Sequence, residues 1–367
     1  MNADAASACF YVGASNRFQF VRNIGLPCSI SAPEPSLLEE GKGRVQCHEV
    51  STFDMNRSIA VGTALTLFAL AATALFLLSP SPKRFGPAEE RFSRWEERQI
   101  DRAERAIDAG DHPTAIDRYR ALASRHPASA YLHGRLGAAL RAGGKHEQAL
   151  AEFETARRLA PADENAAANV IMSLDELGRR DEAVREAVAL ASPPGASARA
   201  LTLAGTLLAN NDRPEEAVPL LRRAVHLDGR NDLAWHELGF AHTQLEDGDA
   251  AEQAFQRALA LSPCDLATLH AAAWNALVVL DDDDRALAYA EKAITCPARR
   301  ASEKADFFYL RADLKLQRDD AEGAVESLRS ALKAGYDGKE WCEPGSPFVL
   351  ALADRPDFQA LLKECKE

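Results

Sequence analysis

This 367-residue chain has no basic stripe, no C-x-x-C pair and no well-formed phosphate loop. Each absence removes a class of function. The net charge is −12, and it is unevenly placed. Residues 1–95 carry nine Lys/Arg and eight Asp/Glu, leaving 34 basic against 47 acidic residues in the remainder. An acidic body does not suit nucleic acid, where neutralising phosphates supplies most of the affinity. The cysteines form no zinc ribbon and no redox dithiol motif. Cys9, Cys28 and Cys47 precede residue 54, and Cys264, Cys296, Cys342 and Cys365 lie in the body. An even number in the body permits disulfides in an oxidising compartment without requiring them. There is no G-x-S-x-G elbow. Gly143-Gly144-Lys145-His146 departs from G-x-x-x-x-G-K-[ST], because Gly137 lies two residues too far away and His146 replaces the hydroxyl residue. In "WHELGFAH", His236 and His242 are six apart, where a zinc-protease helix places them four apart. Asp281 to Asp284 lack the alternating ligands and bend glycine of a calcium loop. The expectation is a non-enzyme with no catalytic residue, cofactor, metal or small-molecule substrate.

One long apolar run is present. Residues 58–79 read "SIAVGTALTLFALAATALFLLS", and Ile59 to Leu78 hold no charge. At 1.5 Å per residue such a run spans about 30 Å, the thickness of a bilayer core. No polar face remains for a soluble helix, and "LFLLSPSPKRF" offers no small-x-small cleavage site. The expectation is an uncleaved single-pass anchor over residues 55–80. Met55 stands just before Arg57 and this run, like a natural start of translation. Residues 1–54 show no periodicity, so they read as a disordered or misassigned extension. Lys83, Arg84, Arg91, Arg94 and Arg98 follow the span, against Arg57 before it. That count favours a cytoplasmic body, with a periplasmic one as the alternative. The abundance of alanine and arginine is compatible with a high-GC bacterium, and hence with an inner-membrane location.

The body repeats itself. A 34-residue frame on Ala130 places Leu136 and Gly137 at positions 7 and 8, Gly144 at 15, Ala149 at 20, Phe153 at 24, Ala156 at 27 and Pro161 at 32. The frame on Asp232 places Trp235 at 4, Leu238 and Gly239 at 7 and 8, Ala251 at 20, Phe255 at 24, Ala258 at 27 and Pro263 at 32. Positions 7, 8 and 11 share one helical face, as do 20, 24 and 27. Gly at 8 and Ala at 20 let two antiparallel helices approach, and the aromatic at 24 fills the space beside them. Pro at 32 ends the second helix. One such pair cannot bury its apolar face alone, so copies must stack. Weaker copies cover 96–129, 164–197, 198–231, 267–297 and 305–336, giving about seven units over residues 96–336. In the frame on residue 267, Trp274 falls where glycine belongs, either displacing its partner helix or marking a break; the extra residues 298–304 also suggest an irregularity there. Pro87 and the acidic residues after it suggest an entry helix within 81–95 that continues into the first unit, with Phe92, Trp95, Ala103 and Ile107 on one face. Residues 337–367 read as a capping segment of two short helices split at Pro356.

This pattern resembles the tetratricopeptide repeat (TPR) family. The resemblance implies an all-α superhelical solenoid of antiparallel helix pairs, here preceded by one transmembrane helix. It also implies a scaffold whose first helices line a concave groove for a protein or peptide partner. Carried onto this sequence, groove positions are Arg135, Arg141, Asn165, Asn169, Met172, Arg199, Asn210, His236, Phe240, Gln244, Asn275 and Tyr309. Asn169 matches an asparagine that bonds ligand backbone in some members. A carboxylate clamp for chaperone tails is not expected, because Gly134 and Ala138 stand where it needs Lys and Asn. The expected role is a membrane-anchored adaptor that assembles complexes. The alternatives are an extracytoplasmic assembly, maturation or transport factor and, less favoured, an enzyme regulatory subunit.

Overall fold

The structure, a computed structural model, describes residues 92–366. The expected extension at 1–54 and the anchor at Ile59 to Leu78 lie outside the described residues. Among those described, no helix is long and apolar enough to cross a membrane.

The chain winds as helical hairpins. The first is α1 (Arg94–Asp108) with α2 (His112–Arg125), and the second α3 (Ala130–Ala142) with α4 (His146–Leu159). Then come α5 (Glu164–Glu176) with α6 (Arg180–Ala191), α7 (Ala198–Asn210) with α8 (Pro214–Leu227), and α9 (Asp232–Gln244) with α10 (Gly248–Leu261). The sixth hairpin is α11 (Leu266–Trp274), prolonged by a π-helical turn (Asn275–Val279), with α12 (Asp283–Thr295). The seventh is α13 (Ala305–Gln317) with α14 (Ala321–Ala334), and α15 (Pro347–Leu352) and α16 (Pro356–Lys366) close the end.

Local chemistry sets the helix starts. The first helices α3, α5, α7, α9 and α11 begin 34 residues apart. Each is preceded by a small polar N-cap: Ser129, Asp163, Ser197, Asn231 or Asp265. Each cap side chain accepts a first-turn N–H that would otherwise lack a partner; Leu132 N donates to Ser129 Oγ at 3.1 Å. Between the helices of every hairpin one residue takes the left-handed conformation. Glycine does this at 110, 144 and 178, but Asp212, Glu246, Asp281 and Asp319 do it elsewhere despite the side-chain cost.

Within a hairpin, the small residue at position 8 meets the large one at position 24. A Cβ on Gly137 would lie 2.8 Å from the Phe153 ring, and one on Gly239 2.6 Å from the Phe255 ring. Both rings are fully buried. The same close approach joins Gly205 to Leu221. One continuous apolar core runs from Ile100 to Ala254.

Two expectations are corrected. The first described helix starts at Arg94, where Ser93 and Glu96 form a reciprocal capping box (Glu96 N to Ser93 Oγ 3.3 Å, Ser93 N to Glu96 Oε2 2.8 Å). Trp95 points outward, 44 % exposed with the Arg125 guanidinium 4.6 Å above its ring. The rest of the expected face does pack inward: Ala103 is buried and Phe92 and Ile107 lie against the core, joined by buried Ile100. The frame of the sixth hairpin also changes. α11 starts at Leu266, so the close-approach position is Ala273, which is buried, and Trp274 is the next residue, half-buried. The π-helical turn then inserts one residue, moving the left-handed position to Asp281. Asn275 anchors that turn, its Nδ2 donating to the Gly248 carbonyl at 3.0 Å.

Candidate protein-binding groove

Successive first helices pack on one another: α5 on α7, α7 on α9, and α9 on α11. This puts the first helices on the inner, concave side of the array. Their polar side chains are largely spent joining one hairpin to the next. Arg135 donates from Nε to Tyr119 Oη at 3.2 Å and from Nη2 to Glu104 at 3.0 Å. Burial pushes the Tyr119 phenol up to about 12, so it stays protonated. Arg141 lies over the Phe153 ring at 5.6 Å, with Glu176 at 3.9 Å. Arg199 donates to Asn165 Oδ1, and Gln244 donates to the Ala209 carbonyl at 3.0 Å. His236 Nδ1 meets Thr268 Oγ1 at 2.9 Å, and burial lowers the imidazole pKa so the ring is neutral. Tyr309 stacks on Tyr336, with centroids 4.4 Å apart and planes 10° from parallel. Asn210 is exposed at the end of α7.

Asn169, Met172 and Phe240 are half-buried on the first helices. Asn275 is not a surface residue; it is fully buried, held by Gly248 and by the Thr243 hydroxyl, which donates to its Oδ1 at 3.3 Å. Trp274 takes its place in the groove. It continues the row Ala138, Met172, Thr206, Phe240, spaced at 34 residues. Periodicity alone misses this tryptophan because the inserted residue lies inside the first helix, while the second-helix landmarks Ala286 and Ala293 keep the shifted frame.

Two buried titratable side chains stand on neighbouring first helices, Glu237 and His270. Glu237 on α9 is 6 % exposed and accepts the Thr206 hydroxyl from α7; burial raises its carboxyl to about 7. His270 on α11 is also buried, which holds it down to about 4. His236, Glu237 and His242 do not converge: His236 turns to Thr268, Glu237 to Thr206, and His242 lies 3.3 Å from Asp247. Among the described residues no cluster of His, Cys, Asp and Glu is arranged to hold a metal. Asp282 caps α12 and Asp284 pairs with Arg318 at 2.7 Å, so the acidic run is engaged in structural contacts. Arg135 and Arg141 each have an acidic partner, Arg199 has an amide partner, and Asn169, Met172, Phe240 and Trp274 keep part of their surface open.

Stacked hairpins with glycine- or alanine-mediated close approach define a helical-repeat solenoid. Residues 100–164 and 201–265 match the family model described as "Tetratricopeptide repeat". Among solved structures, a tetratricopeptide repeat protein from Parabacteroides merdae is similar, with 20 % identity, a TM-score of 0.51, and coverage of 75 % of this chain and 100 % of that one. A chain of the APC/C hetero-tetramer Cut9–Hcn1 is similar at 17 % identity and TM-score 0.50, over 72 % of this chain and 48 % of that chain. The C-terminal part of a TPR repeat-containing protein from Cytophaga hutchinsonii aligns at 17 % identity and TM-score 0.48, over 65 % and 96 % of the two chains. No curated protein sequence matches the chain. The described residues therefore have the TPR solenoid fold.

Proposed function

We propose that this protein is a membrane-anchored scaffold that holds partner proteins together without catalysing a reaction. The segment from Ile59 to Leu78 tethers it, and the concave face of the array receives a peptide or helix. The observation that carries this reading is the inner face itself. Arg135 and Arg141 are paired with Glu104 and Glu176 of neighbouring hairpins, while Asn169, Met172, Phe240 and Trp274 keep part of their surface open. Solenoids present such surfaces because each repeat adds one more strip to the same face. That one similar structure is itself a protein complex, Cut9–Hcn1, supports use in assembly. The second reading, an assembly or maturation factor outside the cytoplasm, is favoured by the paired cysteines described below.

Photo-crosslinking residues placed singly at Asn169, Phe240 and, on the opposite side, Arg223 of α8 test this. The expected outcome is a protein adduct from the first two sites and none from Arg223, with the adduct remaining in the membrane fraction after alkaline extraction. Equal adducts from both faces would refute the groove, and release by alkali would refute the anchor.

A further inference from the structure

Four cysteines lie among the described residues, and all four are paired: Cys264 with Cys296, and Cys342 with Cys365. The Cα separations, 5.4 and 6.6 Å, lie in the range a bridge demands. Packing accounts for Cys296, which is buried in a core cluster, but not for Cys264. Cys264 is exposed and Cys342 and Cys365 are half-buried, whereas a free cysteine behaves as a small hydrophobe and is usually buried.

The bridges stand where the core thins. The continuous cluster ends at Ala254. Beyond it the buried apolar residues divide into four smaller groups. The same stretch contains the π-helical turn and the irregular 297–304 connection. One bridge clamps the sixth hairpin, tying the residue ahead of its first helix's cap to the C-cap of its second. The other closes the terminal cap, joining the Glu340–Cys342 turn to the end of α16. Small cores gain most from a covalent staple.

We infer that the repeat array works in an oxidising compartment, outside the cytoplasm, and that its C-terminal third matures by receiving two disulfides from a thiol–disulfide oxidoreductase. In each transfer two thiols lose two protons and two electrons as their S–S bond forms, and the donor's disulfide takes them up to become a dithiol. A reducing cytosol would hold all four thiols reduced. This places the array opposite to the side favoured by counting Lys/Arg around the span, a rule that short amino termini weaken. It holds whether or not the groove binds a peptide.

The test uses the full-length protein in its native cells, with Cys9, Cys28 and Cys47 changed to serine. Thiols are trapped by acid and counted by the gel shift of a polymer-linked maleimide, before and after denaturing reduction. Four more adducts are expected after reduction, and two more in a Cys342→Ser/Cys365→Ser variant. A membrane-impermeant phosphine, shown to open both bridges in a non-denaturing lysate, should also open them in intact cells. An adduct number unchanged by reduction would overturn the inference. So would bridges that the phosphine reaches only after lysis.

Discussion

Glu237 offers a measurement in which burial, titration and repeat packing must agree. Its carboxyl lies in the middle of α9 with the Thr206 hydroxyl as partner, and burial raises it from 4.5 to about 7. An acid whose folded pKa is raised weakens the fold wherever the unfolded chain has ionised and the folded chain has not. Below about pH 4.5 both forms are protonated and the effect vanishes. Between 4.5 and 7 stability falls by about 1.4 kcal/mol per pH unit, and above 7 the loss is constant at about 3 kcal/mol. Glu237→Gln keeps the shape and a hydrogen bond to Thr206 but cannot ionise. The variant should exceed wild type by about 1 kcal/mol at pH 5 and about 3 kcal/mol at pH 8. Burial also lowers His236, His242 and His270; these contributions are common to both proteins and cancel in the difference. Repeat arrays can unfold in parts, so the assay is urea unfolding in a Trp95→Phe/Trp341→Phe background, followed by the fluorescence of Trp235 and Trp274, which lie in the fifth and sixth hairpins. A pH-independent gain, or a variant less stable at pH 8, would refute the account of Glu237 as a buried carboxyl held neutral.

His270 has the opposite sign. Its folded pKa of about 4 lies below the unfolded value, so stability is full above about pH 6.5 and falls by up to about 3 kcal/mol as pH drops to 4; urea midpoints across that window should flatten in His270→Gln. Gly137→Leu should cost about 1–3 kcal/mol by overpacking against Phe153. Gly134→Ala, on the same helix with open space around it, should be neutral or stabilise by up to about 1 kcal/mol, and thermal melts compare the two. Removing Cys342 and Cys365, which are 23 residues apart, should cost about 3 kcal/mol and make residues 337–366 the first segment cut in limited proteolysis.

Much of the fold was legible because it depends on side-chain size at fixed spacing. Gly137 with Phe153 and Gly239 with Phe255 needed only the period and the rule that two helices approach where side chains are small. The caps Ser129, Asp163, Ser197, Asn231 and Asp265 were a further signal at the same spacing, and would have fixed the start of α11 at Leu266. Without them, the landmarks of α12 set the frame one residue late, exchanging Trp274 with Asn275 in the groove. Trp95 was misplaced because, at about 100° per residue, it lies about 140° round α1 from Ile100 and about 80° from Ala103, the two residues that are buried.

The sequence by itself determined the hairpin and its repetition, since each unit's close approach is written in residues about 16 apart along the chain. It also determined the acidic character and the apolar run before the array. Tertiary structure decided what depends on neighbouring repeats. It set which groove charges cancel, because Arg135 meets Glu104 only when two hairpins stack. It buried Glu237 behind Thr206. It also brought Cys264 to Cys296 and Cys342 to Cys365, because pairing is a matter of distance in space, which no spacing along the chain encodes.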